Sequence, residues 1–190
     1  MIDFRTFAAG SSALGGLIWL ATPLFPVLYR LSPSFRPRLL FVVAPLLVAV
    51  GLVGFDDAYR GTYGTIGRVG TGLVAVGVPL IGLGPLVQLL GFGLSPGVLF
   101  MLGAYAGAAV AGAGAIAVAV DVWRTGAPSR RLVVWLPLGV TATALATFPA
   151  AIVVPRSLAR FDVFAVVAGL AWLAVGYYTL ASGDDTAAPA

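Results

Sequence analysis

The sequence predicts an all-α, six-span transmembrane helical bundle, and three observations carry that prediction. Of the 190 residues, 60% are hydrophobic and only 9% are charged, where a soluble domain carries about 25% charged residues. Mean hydropathy is +1.04. The apolar residues also gather into six runs near the ~20 residues a helix needs to cross a bilayer. Those runs fill most of the chain, so residues 1–182 form one transmembrane helical domain, and the polar end "ASGDDTAAPA" makes 183–190 a disordered tail.

The expected spans are 7–29, 39–55, 69–91, 98–122, 132–154 and 163–181. Backbone in lipid must satisfy its own hydrogen bonds, and none of the runs shows the alternation of a membrane strand, so all are helices. The start "MIDFRTFAAG" lacks a strongly basic leader and leads into an apolar run without a clear cleavage site. It reads as a retained first span. Span 2 is the shortest and the one most open to a re-entrant path. Pro23, Pro26, Pro45, Pro79, Pro85, Pro137 and Pro149 fall inside spans; each removes a helical hydrogen bond and invites a bend. Span 4 carries small residues at close helical spacing, with Gly103, Gly107 and Gly112 as its packing face against another helix or a second copy. Tyr29, Trp123, Trp135, Tyr177 and Tyr178 lie near span ends, where amphipathic rings anchor at the interface.

The side-chain inventory excludes much chemistry. There is no Cys, His, Lys, Glu or Asn; the 11 basic residues are all Arg, and the 7 acids are all Asp. Disulfides, thiolate nucleophiles, imidazole bases, zinc-thiolate sites and lysine-bound cofactors are therefore absent by composition. Ser11 and Ser12 lack the usual base that would make a nucleophile of either, and they read as residues that let helices approach closely. No metal or organic cofactor is expected. A pI near 10.0 and a net charge of +4 suggest nucleic acid at first sight. The arginines, however, sit in short connectors beside apolar runs, so their partners are membrane lipids and not nucleic acid. Exclusive use of Arg over Lys matches the bias of a GC-rich prokaryotic genome, which sets the expected location as a prokaryotic cell membrane.

With six spans, Arg5, Arg60, Arg68, Arg124, Arg130 and Arg131 share one face, and Arg30, Arg36, Arg38, Arg156 and Arg160 share the other. That near balance gives no orientation by the positive-inside rule. A candidate explanation is a 3+3 inverted repeat. Tyr29-Arg30 is followed by Pro33-Ser34, Arg36, Arg38 and Pro45-Leu46; Trp123-Arg124 is followed by Pro128-Ser129, Arg130, Arg131 and Pro137-Leu138, about half a chain later. Arg30, Arg36, Arg38, Arg124, Arg130 and Arg131 are thus the candidate lipid-headgroup contacts.

Polar residues near the spans are few, and a charge there needs water, a partner or headgroups. The candidates for a polar or transport role are Asp121, Gln88, Arg68, Asp56 and Asp57. Asp56-Asp57 opens the loop "DDAYRGTYGTIGRVG" and faintly echoes the diphosphate-binding acids of membrane transferases, but further acids at helical spacing are missing. A solvated loop or an Asp–Arg pair is the expected reading. Gly61, Gly64, Gly67 and Gly70 recur every three residues without a P-loop pattern, which points to a closely packed entry into span 3. Arg68 there is expected to snorkel or to pair with Asp56 or Asp57. Asp121, one turn before Arg124, reads as an interfacial cap or local ion pair, and as the first carboxylate to test in a proton-coupled transporter. Gln88 is the only side-chain amide, suited to an interhelical hydrogen bond.

The segment "YGTIGRVGTGLVAVG", with the later "RTGAPSRRLVVWLPLG", resembles a pattern seen in small uncharacterised multi-pass integral membrane proteins of prokaryotes, halophilic archaea among them. The resemblance covers roughly residues 63–139 and implies a multi-pass membrane protein with no assigned activity. It transfers no catalytic or binding residue. The function expected from these readings is non-enzymatic: a structural or interaction component that packs against itself or another bundle through small-residue helix faces. The alternative is a small transporter or permease-like protein with inverted repeats, and the third reading is a membrane enzyme acting on lipid headgroups.

Overall fold

The structure is a computed structural model that describes residues 3–32, 37–62, 64–89, 96–125, 132–147 and 158–181. The described residues are almost entirely helical, with no strand among them. α1 (Phe4–Ala21) gives way to a single 3-10 turn (Thr22–Leu24) and then to α2 (Phe25–Leu31). The break has a local cause: proline has no N–H to offer and crowds the preceding turn. Pro23 sits in that turn, where Thr22 bonds its own N–H to the Trp19 carbonyl three residues back. The elements that follow are α3 (Pro37–Tyr59), α4 (Thr65–Leu89), α5 (Pro96–Thr125), α6 (Leu132–Thr147) and α7 (Leu158–Ala181).

Five apolar stretches are long enough to cross a membrane: Phe4–Leu24, Leu39–Tyr59, Thr65–Gly82, Tyr105–Thr125 and Val163–Ala181. The second is no longer the weak one. α3 has 23 residues, and its apolar window is the most hydropathic of the five, at 2.4. Its first residue, Pro37, stands where a missing N–H costs nothing, and the helix continues through Asp56 and Asp57 instead of ending before them. The described part of α6 has 16 residues, or ~24 Å at ~1.5 Å per residue against the ~30 Å hydrocarbon core. The rest of the expected fifth span, 148–154, lies outside the described residues, as does the tail 183–190.

The six long helices form a ring in chain order. α1 packs on α3, α3 on α4, α4 on α5, α5 on α6, α6 on α7, and α7 returns to α1. Lipid tails are as apolar as leucine, so hydrophobicity alone does not draw such helices together; close backbone approach and interhelical hydrogen bonds must do so. Two seams show how. A Cβ added at Gly77 would lie 2.4 Å from the Ala111 backbone nitrogen, and one at Gly114 would lie 2.5 Å from the Gly70 carbonyl oxygen. α4 and α5 therefore meet backbone to backbone through Gly70 and Gly77 on one side and Gly107 and Gly114 on the other. α1 and α7 repeat the device. A Cβ at Gly16 would lie 2.7 Å from the Gly169 carbonyl oxygen, and one at Gly176 would lie 2.9 Å from the carbonyl oxygen of Ala9. On all four helices the small residues stand seven apart, the heptad spacing that keeps one seam facing an antiparallel neighbour.

The interior is filled by Trp19, Trp172, Phe55, Leu52, Ile81, Leu136 and a run of valines, each nearly inaccessible. The exterior is apolar too: Leu14, Val53, Val69, Val76, Ile116 and Leu170 all stand exposed. Apolar surface on that scale is foreign to a water-soluble monomer and is what helices of membrane-crossing length require. Polar groups inside are tied locally. The Ser12 hydroxyl donates to the Trp172 carbonyl at 2.9 Å, and the Trp172 indole N–H donates to Thr143 Oγ1 at 2.8 Å. Tyr59 donates to the Tyr178 carbonyl at 2.7 Å and so joins α3 to α7. Trp19 differs: its indole N–H is buried without a partner while the ring packs edge-on against Phe41, at a cost of roughly 1–3 kcal/mol. Thr143→Val keeps the volume but orphans the Trp172 N–H in the same way. It is expected to lower stability by about 1–3 kcal/mol, read by unfolding in mixed micelles, whereas Thr143→Ser is expected to retain most of it.

Candidate functional site

Charged side chains converge at one end of the ring, where α3 ends, α4 begins and α5 ends. α3 runs out at Tyr59, and the turn that follows is held by the Thr62 N–H and hydroxyl, which donate to the Tyr59 carbonyl at 2.9 and 2.8 Å. Asp56 and Asp57 occupy the last turn of α3, so they end the helix and do not open a loop. Neighbouring helical residues point about 100° apart at ~3.6 residues per turn, and the two carboxylates accordingly diverge: Asp56 is half-buried and Asp57 exposed. Asp56 Oδ2 accepts from Arg60 Nη2 at 3.4 Å, one turn on. With Arg60 mostly exposed, that pair is worth no more than about 1 kcal/mol. Among the described residues no group of three or more Asp, Glu, His or Cys is placed to hold a metal ion.

Arg68 takes a different partner from either acid. Its guanidinium donates to the Arg60 carbonyl, which fastens the first turn of α4 over the turn that enters it. The glycines in this segment serve distinct ends. Gly64 precedes α4, Gly67 and Gly70 lie within it, and Gly70 belongs to the α4–α5 seam. Gly64 leaves room for what happens next: a Cβ there would stand 3.0 Å from Asp121 Oδ1, closer than ordinary contact.

Asp121 is the most buried acid described, 5% exposed, and it sits inside α5, which continues to Thr125. Its Oδ2 accepts the Gly64 backbone N–H at 2.6 Å. The carboxylate of one helix therefore caps the entry of its neighbour, satisfying an N–H that α4 cannot satisfy itself at the end where the helix dipole favours a negative charge. Thr125 Oγ1 closes the turn on the Asp121 carbonyl at 2.9 Å. Chemically the arrangement is a latch between α4 and α5, with its carboxylate already engaged by a main-chain donor.

The other sequence-derived candidates are spread out. Gln88 falls at the last turn of α4, the far end of the helix from Asp121, so the two do not share a site. Arg30, exposed in the last turn of α2, and Arg38, in the first turn of α3, belong to the opposite end from Arg124, which is exposed in the last turn of α5. Arg36, Arg130 and Arg131 lie outside the described residues. Of the three packing glycines, Gly107 sits in the α4–α5 seam, with a Cβ position 2.6 Å from the Ile81 nitrogen. Gly103 is half-buried, and Gly112 meets nothing within 4 Å. The residue that completes the seam is Gly114, absent from the expected packing face; its signal in the sequence is the seven-residue step from Gly107. Ser12 fulfils the expectation of close approach, since a Cβ at Gly51 would lie 2.4 Å from its own Cβ. Comparison with protein-family models, curated proteins and solved structures finds no match.

Proposed function

We propose that this chain is a multi-pass protein of a prokaryotic cell membrane, crossing six times, and that it works as a structural or interaction component without catalysis. The observation that carries the reading is the filled interior. The ring closes on Trp19, Leu52, Phe55, Ile81, Leu136 and Trp172, and its buried carboxylate serves a main-chain N–H. A path for a solute through a bilayer needs water or polar side chains along the ring's centre; among the described residues the centre holds mostly large apolar side chains, and the buried Ser12, Thr143 and Thr179 are engaged in hydrogen bonds. The exposed position Gly72 has open space beyond it, which suits contact with a second copy or another bundle.

The order of the ring counts against the transporter reading. An inverted repeat relates its halves by an axis in the membrane plane. Seen down the membrane normal, such an axis turns a clockwise run of three helices into an anticlockwise one. Here α1, α3 and α4 are followed round the ring by α5, α6 and α7 in the same sense. The likeness of the α4–α5 and α1–α7 seams follows from their common heptad spacing and needs no inverted halves.

Single-molecule photobleaching of an Ala190→Cys chain labelled at that thiol, in vesicles of decreasing protein density, tests the proposal. The native chain has no Cys, so the label is unique. Multiple bleaching steps that persist at low density are the expected result. Single steps throughout, together with a solute flux that Asp121→Ala abolishes, would replace this reading with transport.

A further inference from the structure

The side of the ring where α5 meets α6 opens into a groove with a definite chemistry. Between the end of α5 and the start of α6 lies a groove of about 480 Å³, lined by Ile116, Ala119, Val120, Trp123, Arg124 and Pro137. That volume falls in the ~300–1,000 Å³ range of small-ligand sites. Its origin is in the sequence. α5 keeps its glycines, Gly107 and Gly114, for α4, and presents Ile116, Val120 and Trp123 outward at helical spacing. Pro137 lies inside α6 and faces the groove from the other wall. The floor is wholly apolar, while the rim ends in an exposed Trp123, 83% accessible, and an exposed Arg124. The nearest acid on α5, Asp121, is turned away into its bond with Gly64.

We propose that this groove binds one anionic phospholipid. The proposal rests on the membrane reading above and adds a ligand to it. An acyl chain lies along Ile116, Ala119, Val120 and Pro137, and the headgroup phosphate meets the Arg124 guanidinium. Trp123 sits between them, at the boundary of chain and headgroup that amphipathic rings favour. Apolar length, aromatic belt and cation thus follow one another down the groove in the order in which a phospholipid presents tail, ester region and phosphate. A zwitterionic lipid of equal chain length fills the same groove but offers Arg124 no net charge.

Native mass spectrometry of the detergent-purified chain, titrated with palmitoyl-oleoyl phosphatidylglycerol or phosphatidylcholine, tests this. One phosphatidylglycerol is expected to be retained in preference. Arg124→Gln is expected to weaken it about fivefold, the usual effect of one basic residue beside anionic lipid, and to leave phosphatidylcholine unchanged. Ala119→Phe, which fills the groove, is expected to weaken both lipids; Val120→Trp gives the same test should the first variant fold poorly. Arg60→Gln removes a cation from the same end of the ring but outside the groove and is expected to change neither. Equal binding by wild type, Arg124→Gln and the filled-groove variants would overturn the site, as would an Arg60→Gln loss equal to that of Arg124→Gln. Failure of the wild type to resist alkaline extraction from vesicles would instead overturn the membrane reading, so the two failures are distinguishable.

Discussion

Gly77→Leu is expected to separate α4 from α5 and to destabilise the bundle by about 3 kcal/mol, the upper end for overpacking a close-packed interface. The first added carbon already lies 2.4 Å from the Ala111 nitrogen and 2.8 Å from its Cα, inside the contact distance of any pair of heavy atoms. Backbone cannot swing aside as a side chain can, so the whole helix must move. Movement at 77 also withdraws Gly107 and Gly114 from their partners along the same seam. Gly112→Ala is the matched control: nothing stands within 4 Å of the added carbon, and the change is expected to be neutral or stabilising by up to about 1 kcal/mol through helix propensity. Unfolding in mixed micelles, followed by helical circular dichroism, reads both. Equal stability of the two variants would mean that α4 and α5 do not meet backbone to backbone.

Asp121→Ala is expected to cost about 0.5–2 kcal/mol, the loss of a helix-entry cap, because Gly64 is exposed and solvent partly replaces the missing acceptor. Asp121→Asn keeps a carbonyl oxygen at the same reach and is expected to recover most of the loss, though not the attraction between a negative charge and the start of α4, worth about 0.3–1 kcal/mol. Hydrogen exchange localises the effect: the amides of residues 64–68 are expected to exchange faster in Asp121→Ala, with those of α7 unchanged. A loss localised in this way is the mark of a latch. A carboxylate that also moved protons would in addition alter flux with either substitution.

Much of the architecture is legible in the sequence because the bilayer imposes a length on each helix. The apolar runs announce five helices of crossing length almost directly, and Pro23 announces the break in the first. Boundaries are less legible where polar residues stay helical. Asp56 and Asp57 look like the start of a loop, yet one more turn costs little once Asp56 has Arg60 a turn away and Tyr59 has the Tyr178 carbonyl to bond. The α4–α5 seam was half visible: Gly107 stood out, while Gly114 was hidden in an Ala-Gly-rich run where many spacings fit. The Gly64–Asp121 latch was not visible at all. It joins residues 57 positions apart, and its donor is a backbone N–H that every residue but proline owns. No pattern of side chains records such a bond.

That the ring closes between α1 and α7 constrains the order in which the molecule can be made. α1 ends at Ala21 and its partner does not begin until Leu158, an interval on the order of ten seconds at ~5–20 residues synthesised per second. Throughout it, the face of α1 bearing Ala9 and Gly16 has no helix against it. α4 and α5 follow each other at once and can zip as soon as both are inserted. Helices can pair in the order they are made, α1 with α3, α3 with α4 and α4 with α5. The α1 face bearing Ala9 and Gly16 is the last surface of the ring to be covered, when α7 arrives beside it.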